Sequence, residues 1–147
     1  TDLTHRFLPA MRQRRAGRIL IVSSVCGFQP GPYMAAYFAT KAFLLFLGEA
    51  LSAELAGSGV TTTCLCPGLV RTEFHKVAGM EHSRVMRFRS KSADEVAEAG
   101  YRGMMRGKRV VVPGLGNRFS TTVVGAFPTW FVLRMVKRIQ APNLQRQ

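Results

Sequence analysis

Apolar positions along the chain switch between helical and strand spacing, and each switch predicts an element. Leu3, Phe7, Leu8 and Met11 recur at helical spacing, with Pro9 among them and Arg12, Arg14 and Arg15 before Gly17, as at a helix carboxy terminus. Residues 18–22 then carry Ile19, Leu20, Ile21 and Val22, apolar on both faces, as a buried parallel strand requires. A loop over 27–32, rich in Gly and Pro, leads into a long helix over about 34–56, where Phe43, Phe46, Leu47, Ala50 and Leu51 give a broad apolar face. That face suits either core packing or a helix pair between subunits. Gly57-Ser58-Gly59 ends the helix. Residues 60–66, with β-branched Thr61, Thr62 and Thr63, predict a second strand that Pro67-Gly68 breaks.

Beyond it, residues 74–91 are irregular and basic, with Arg84, Arg87, Arg89 and Lys91 interleaved with Val85, Met86 and Phe88. Ser92-Ala93-Asp94-Glu95 is a capping box that starts a helix to about residue 105, with Val96, Ala99 and Met104 facing inward. Residues 109–114 predict a third strand and a stop. Strands alternating with helices place the chain in the α/β class, with about three parallel strands and flanking helices. The tail, 117–147, is separate in character. Its stretch 119–133 is uncharged and holds Val123, Val124, Phe127, Trp130, Phe131 and Val132, followed by Arg134, Lys137 and Arg138. Interrupted by Gly125 and Pro128, it is too short to span a bilayer as a helix. It suits either an interfacial helix on an anionic membrane over 119–138 or a helix packed on its own domain or a sister subunit.

At 147 residues the chain is one domain's worth. Its 21 Lys and Arg against 8 Asp and Glu give a net charge of +13, enough to attract phosphates, anionic cofactors or a membrane surface. No zinc-finger spacing or RNA-binding aromatic signature accompanies that charge, so nucleic acid is not the expected partner. Cys26, Cys64 and Cys66 are odd in number and lie in apolar surroundings, which points to a reducing, cytoplasmic setting rather than a disulfide framework. Cys64 and Cys66 face one side of a strand, where small core residues are expected, and no metal site is read from them, nor from His75 and His82 in the basic loop.

The stretch that carries chemistry is 23–41. Tyr37 and Lys41 are four residues apart on a helix, so the ammonium can lie near the phenol and stabilise its anion. That predicts a lowered phenol pKa. Ser24 sits where the first strand enters its loop, a position where catalytic groups are often held.

Ser24, then Tyr37-Phe38-Ala39-Thr40-Lys41 as Y-x-x-x-K, then Cys66-Pro67-Gly68-Leu69-Val70-Arg71-Thr72 with P-G-x-x-x-T, resemble the short-chain dehydrogenase/reductases from Leu3 to about Gly114. The resemblance implies that residues 1–116 are the carboxy-terminal half of a doubly wound Rossmann-type parallel sheet, the last strand at its far edge, with 117–147 an apolar and basic helical tail. It implies an NAD- or NADP-dependent oxidoreductase interconverting a carbonyl and an alcohol. Ser24, Tyr37 and Lys41 would be catalytic; Tyr37, Lys41, Pro67, Gly68, Val70 and Thr72 would hold the cofactor. Thr72 also suits a helix cap, with Glu73 in the first turn. Further implications are a substrate-covering loop at 74–91 and a homo-oligomer built through the Tyr37 helix. An apolar loop and tail lean toward a hydrophobic substrate. The family's glycine-rich turn, its residue selecting NAD or NADP and its catalytic asparagine are absent, so the chain reads as part of a longer reductase, inactive alone. The alternatives are a non-catalytic member of the family or a basic membrane-surface module.

Overall fold

The computed structural model describes residues 1–71 and 90–141. Three parallel strands form one sheet in the order β1 (Gly17–Val22), β2 (Val60–Leu65) and β3 (Val110–Val111). Helix α1 (Asp2–Gln13) leads into β1, α2 (Ala35–Glu54) crosses from β1 to β2, and α3 (Ala93–Met105) precedes β3. The tail is two helices, α4 (Leu115–Val124) and α5 (Thr129–Gln140), parted by the Gly125 and Pro128 that interrupt its apolar stretch. The expected α/β class and parallel sheet are therefore present. Only two residues of the third strand join the ladder, fewer than the apolar run suggested.

The Ser92 hydroxyl accepts from the Glu95 backbone N–H at 3.1 Å, and the Ser92 N–H donates to the Glu95 carboxylate at 2.8 Å, completing the expected capping box of α3. Helix α2 is long and apolar enough to cross a membrane by length and composition. It instead lies on the sheet, burying Phe38, Leu45 and Gly48. Of the apolar face that suits either core packing or a helix pair between subunits, Phe43 and Phe46 do not join the core: they are 54% and 64% exposed. The reason is close approach at Gly48, where a Cβ would collide with the Cys64 sulfur, so the helix seats on its glycine side. Gly100 and Gly103 do the same for α3 against Leu65 and Val111. Val96 is buried beside them, with Ala99 and Met104 at the flanks of this seam.

Two apolar clusters result. Leu45, Cys64 and Cys66 pack with Ile21, Phe28, Val110 and Val112 between α2 and the sheet. Burial pushes the thiols of Cys64 and Cys66 up to about 11 and about 12, as core cysteines should be. The second cluster joins Phe38 of α2 to Val132 and Val136 of α5, with Tyr37, Met34, Cys26 and Val124 against it. The tail thus shares a core with the sheet domain.

Candidate active site at the carboxyl end of the sheet

Strand β1 ends at Val22, and Ser23 and Ser24 carry the chain off the sheet. The Ser23 N–H donates to the Leu65 carbonyl at 2.8 Å, and its hydroxyl donates to the Lys41 carbonyl at 2.6 Å. One serine thus ties the strand end to β2 and to the helix carrying Tyr37 and Lys41. Ser24, 6% exposed, caps the short 3₁₀ turn Val25–Phe28 by accepting from the Cys26 N–H at 3.2 Å. Its hydroxyl also donates to the Pro67 carbonyl at 3.4 Å, and the Val25 N–H donates to that carbonyl at 3.0 Å. The serine loop and the Pro-Gly turn are therefore one unit. Leaving β2, the segment Leu69–Arg71 pairs with Lys91: the Arg71 N–H donates to the Lys91 carbonyl at 2.9 Å, and the Lys91 N–H to the Leu69 carbonyl at 3.0 Å.

Tyr37 and Lys41 share a face of α2, as their spacing predicts. The ammonium lies 5.6 Å from the centre of the phenol ring and donates to the Val22 carbonyl at 3.1 Å. The Ser24 hydroxyl lies close enough to the Tyr37 phenol to favour its anion. The direction of the Tyr37 pKa corrects the sequence expectation. Half-burial raises it above 10.0; the nearby Ser24 hydroxyl pulls it down and the neighbouring Cys26 pushes it up, leaving it raised. Spacing along a helix reveals the cation but not the burial that raises the phenol.

These groups face one cleft of about 590 Å³, bounded by Ser24, Tyr37 and Lys41 on one side and Pro67, Gly68, Leu69 and Val70 on the other. Six of the seven expected site residues, Ser24, Tyr37, Lys41, Pro67, Gly68 and Val70, thus meet there. Thr72 and the basic loop up to residue 89 lie outside the described residues. Gly68 has a further structural use, since a Cβ there would collide with the Asn117 carboxamide of α4. The cleft also takes in Cys26, Met34, Val96 and Gln140, none of which the sequence marks. Cys26 stands two residues past Ser24 with its thiol raised by burial; Gln140 arrives from the far end of α5, and no local signal could have placed it.

A nicotinamide cofactor is testable against this donor set. Lys41 has ammonium protons beyond the one given to Val22, and the cleft volume is in the range that takes a small ring and its sugar. The residues present fit that half of the cofactor. No glycine-rich phosphate-binding turn after a strand occurs in the sequence.

A family model described as short chain dehydrogenase matches residues 1–83. The chain belongs to the short-chain dehydrogenase family. It is 36% identical over 142 residues to 17-beta-hydroxysteroid dehydrogenase 13 of Rattus norvegicus, covering 94% of this chain and 44% of that protein. It is 42% identical over 82 residues to dehydrogenase/reductase SDR family member 4 of Bos taurus, covering 56% of this chain and 29% of that protein. Among solved structures, a short-chain dehydrogenase from Sphingobium yanoikuyae in complex with NADPH aligns with a TM-score of 0.66 at 31% identity, over 95% of this chain and 51% of that one. The chain spans about half the length, or less, of the relatives it matches.

Proposed function

We propose that these residues form the catalytic and substrate side of an NAD(P)-dependent oxidoreductase that interconverts a carbonyl and an alcohol, with Tyr37 as general acid and base. The observation that carries the reading is the convergence of Ser24, Tyr37 and Lys41, the ammonium 5.6 Å from the phenol ring, on one wall of a cleft whose other wall is Pro67–Val70. The complex of a relative with NADPH supports the cofactor class. The reading applies to the polypeptide in which these residues work together with a glycine-rich phosphate-binding turn.

Lys41 and the Pro67–Val70 turn, with Thr72 following in the sequence, would hold the cofactor, which when bound would supply the hydride. Everything else falls to the chain. As charge grows on a carbonyl oxygen, Tyr37 gives that oxygen its proton; a phenol raised by burial is fully protonated at neutral pH and ready to do so. Ser24, whose hydroxyl makes only a long 3.4 Å bond to the Pro67 carbonyl, can turn that hydroxyl to the same oxygen as a preorganised donor. In the reverse direction Tyr37 must first lose its proton, which makes alcohol oxidation the more alkaline reaction. Lys41, anchored on the Val22 carbonyl beside the Tyr37 ring, would direct its remaining protons to the cofactor's sugar hydroxyls.

The apolar lining, Val25, Met34, Leu69 and Val96, suits a hydrophobic carbonyl, and the name of the rat relative supports a bulky one. Exposed Phe43 and Phe46 on α2 support a homo-oligomer, and three free cysteines support a cytoplasmic setting. The test is consumption of NADH and of NADPH by the native-length protein against linear, cyclic and steroidal ketones. Alcohol formed in step with cofactor oxidised is the expected result; no turnover with either cofactor across the panel rejects the reading.

A further inference from the structure

Helix α5 presents two unlike faces. Val132 and Val136, each 3% exposed, pack on Phe38, and the spacing of four and then three and one residues puts Trp130, Arg134, Lys137 and Arg138 together on the opposite side. Trp130 is 66% exposed, and the three cations are exposed along with it. At the start of the helix Phe127 stacks on Phe131 at 5.1 Å, and Trp130 meets Phe131 edge-on at 5.9 Å. Aromatic rings grouped at one end of an exposed face, with cations at the other, make an apolar patch that folding leaves uncovered. No Asp or Glu follows Glu98 in the sequence, so nothing acidic on this part of the chain offsets those cations.

We propose that this outer face of α5 docks on an anionic lipid surface, with Phe127, Trp130 and Phe131 in the headgroup layer and Arg134, Lys137 and Arg138 on lipid phosphates. A helix of 12 residues cannot cross the bilayer, so it lies in the interface. A second copy of the chain is the wrong occupant: an isologous contact would set one cationic face against another. Nucleic acid fits less well too, because bases stack on separate open rings, whereas Phe127 and Phe131 cover each other. The proposal goes beyond the reaction and does not depend on it. None of the six docking residues lines the cleft, although Gln140, on the same helix, does.

Trp130 is the sole tryptophan of the sequence, so its fluorescence reports on this face alone. The 147-residue chain is mixed with vesicles of phosphatidylcholine, with and without phosphatidylserine, and scored by co-sedimentation and Trp130 emission. Binding to the anionic vesicles with emission moved to shorter wavelength, weakened by salt, is the expected result. Arg134→Gln, Lys137→Gln and Arg138→Gln together should lower affinity on the order of a hundred-fold, at about five-fold per cation. These side chains are exposed and leave the valine face intact, so circular dichroism should be unchanged. Absence of binding, binding without a Trp130 shift, equal affinity for neutral vesicles, or DNA binding or self-association lost in the triple variant while vesicle affinity stays the same would each overturn the proposal.

Discussion

Gly48→Ala should destabilise this protein, although the same change in an exposed helix interior stabilises by about 1 kcal/mol. Gly48 is a buried residue of α2, and a Cβ there would collide with the sulfur of Cys64, which is 0% exposed. Overpacking of a closed core costs roughly 1–3 kcal/mol. The Ile21 Cδ1, 3.3 Å from the same Cβ, can shift by a few tenths of an ångström. Cys64 is enclosed on its strand, so the upper part of that range applies and the net loss is about 1 kcal/mol or more. Removing the sulfur should reverse the sign: in a Cys64→Ala background the new methyl has room, and Gly48→Ala gains about 1 kcal/mol. The coupling is on the order of 2 kcal/mol, inside the span expected for residues in contact. Urea unfolding followed by circular dichroism reads it, with midpoints moving by about half a molar in opposite directions in the two backgrounds. A midpoint that rises in the native background, or moves the same way in both, refutes the account of how α2 sits on β2. Tyr37 and Lys41 depend on that seat.

Other predictions follow from buried polar groups. The Thr63 hydroxyl is fully buried and finds no hydrogen-bond partner among the described residues, so Thr63→Val should stabilise by about 1 kcal/mol and raise the melting temperature by a few degrees; a lower melting temperature would show that the hydroxyl is satisfied. Cys26 should be the thiol that labels in the folded protein, with Cys64 and Cys66, pushed up to about 11 and about 12, labelling only on unfolding; equal native rates for all three would contradict the burial. Because the folded protein raises the Tyr37 pKa, the neutral phenol is favoured: stability is unaffected below pH 10.0 and falls as pH climbs above it toward the folded value. A tyrosine absorbance titration should therefore lose a step above 10.0 in Tyr37→Phe, and a Tyr37 step near neutrality in the free protein would contradict this.

What the sequence disclosed was mostly local in origin. The apolar run Ile19–Val22, the capping box at Ser92 and the Pro67-Gly68 break each declare themselves within a few residues, and the structure has them where expected. Ser24, Tyr37 and Lys41 were legible because strand end and helix face are set by spacing. What stayed hidden depends on contacts distant in sequence. Whether Phe43 and Phe46 belong to the core or to an outer face is settled only when Gly48 meets Cys64 and turns the helix; Gly100 and Gly103 look like weak helix formers until Leu65 and Val111 fill the space above them. The sign of the Tyr37 shift comes from burial assembled by Phe38, Val132 and Val136, which lie on two helices far apart in the chain. Gln140 reaches the cleft for the same reason.

The central claim is that Tyr37 moves the proton. The most direct measurement is Tyr37→Phe in the native-length protein, with turnover and NAD(P)H affinity read side by side. The change deletes one oxygen from a half-buried ring and leaves the apolar contacts of that ring in place, so the account predicts near-complete loss of turnover with cofactor affinity largely retained. Turnover that survives unchanged would contradict it.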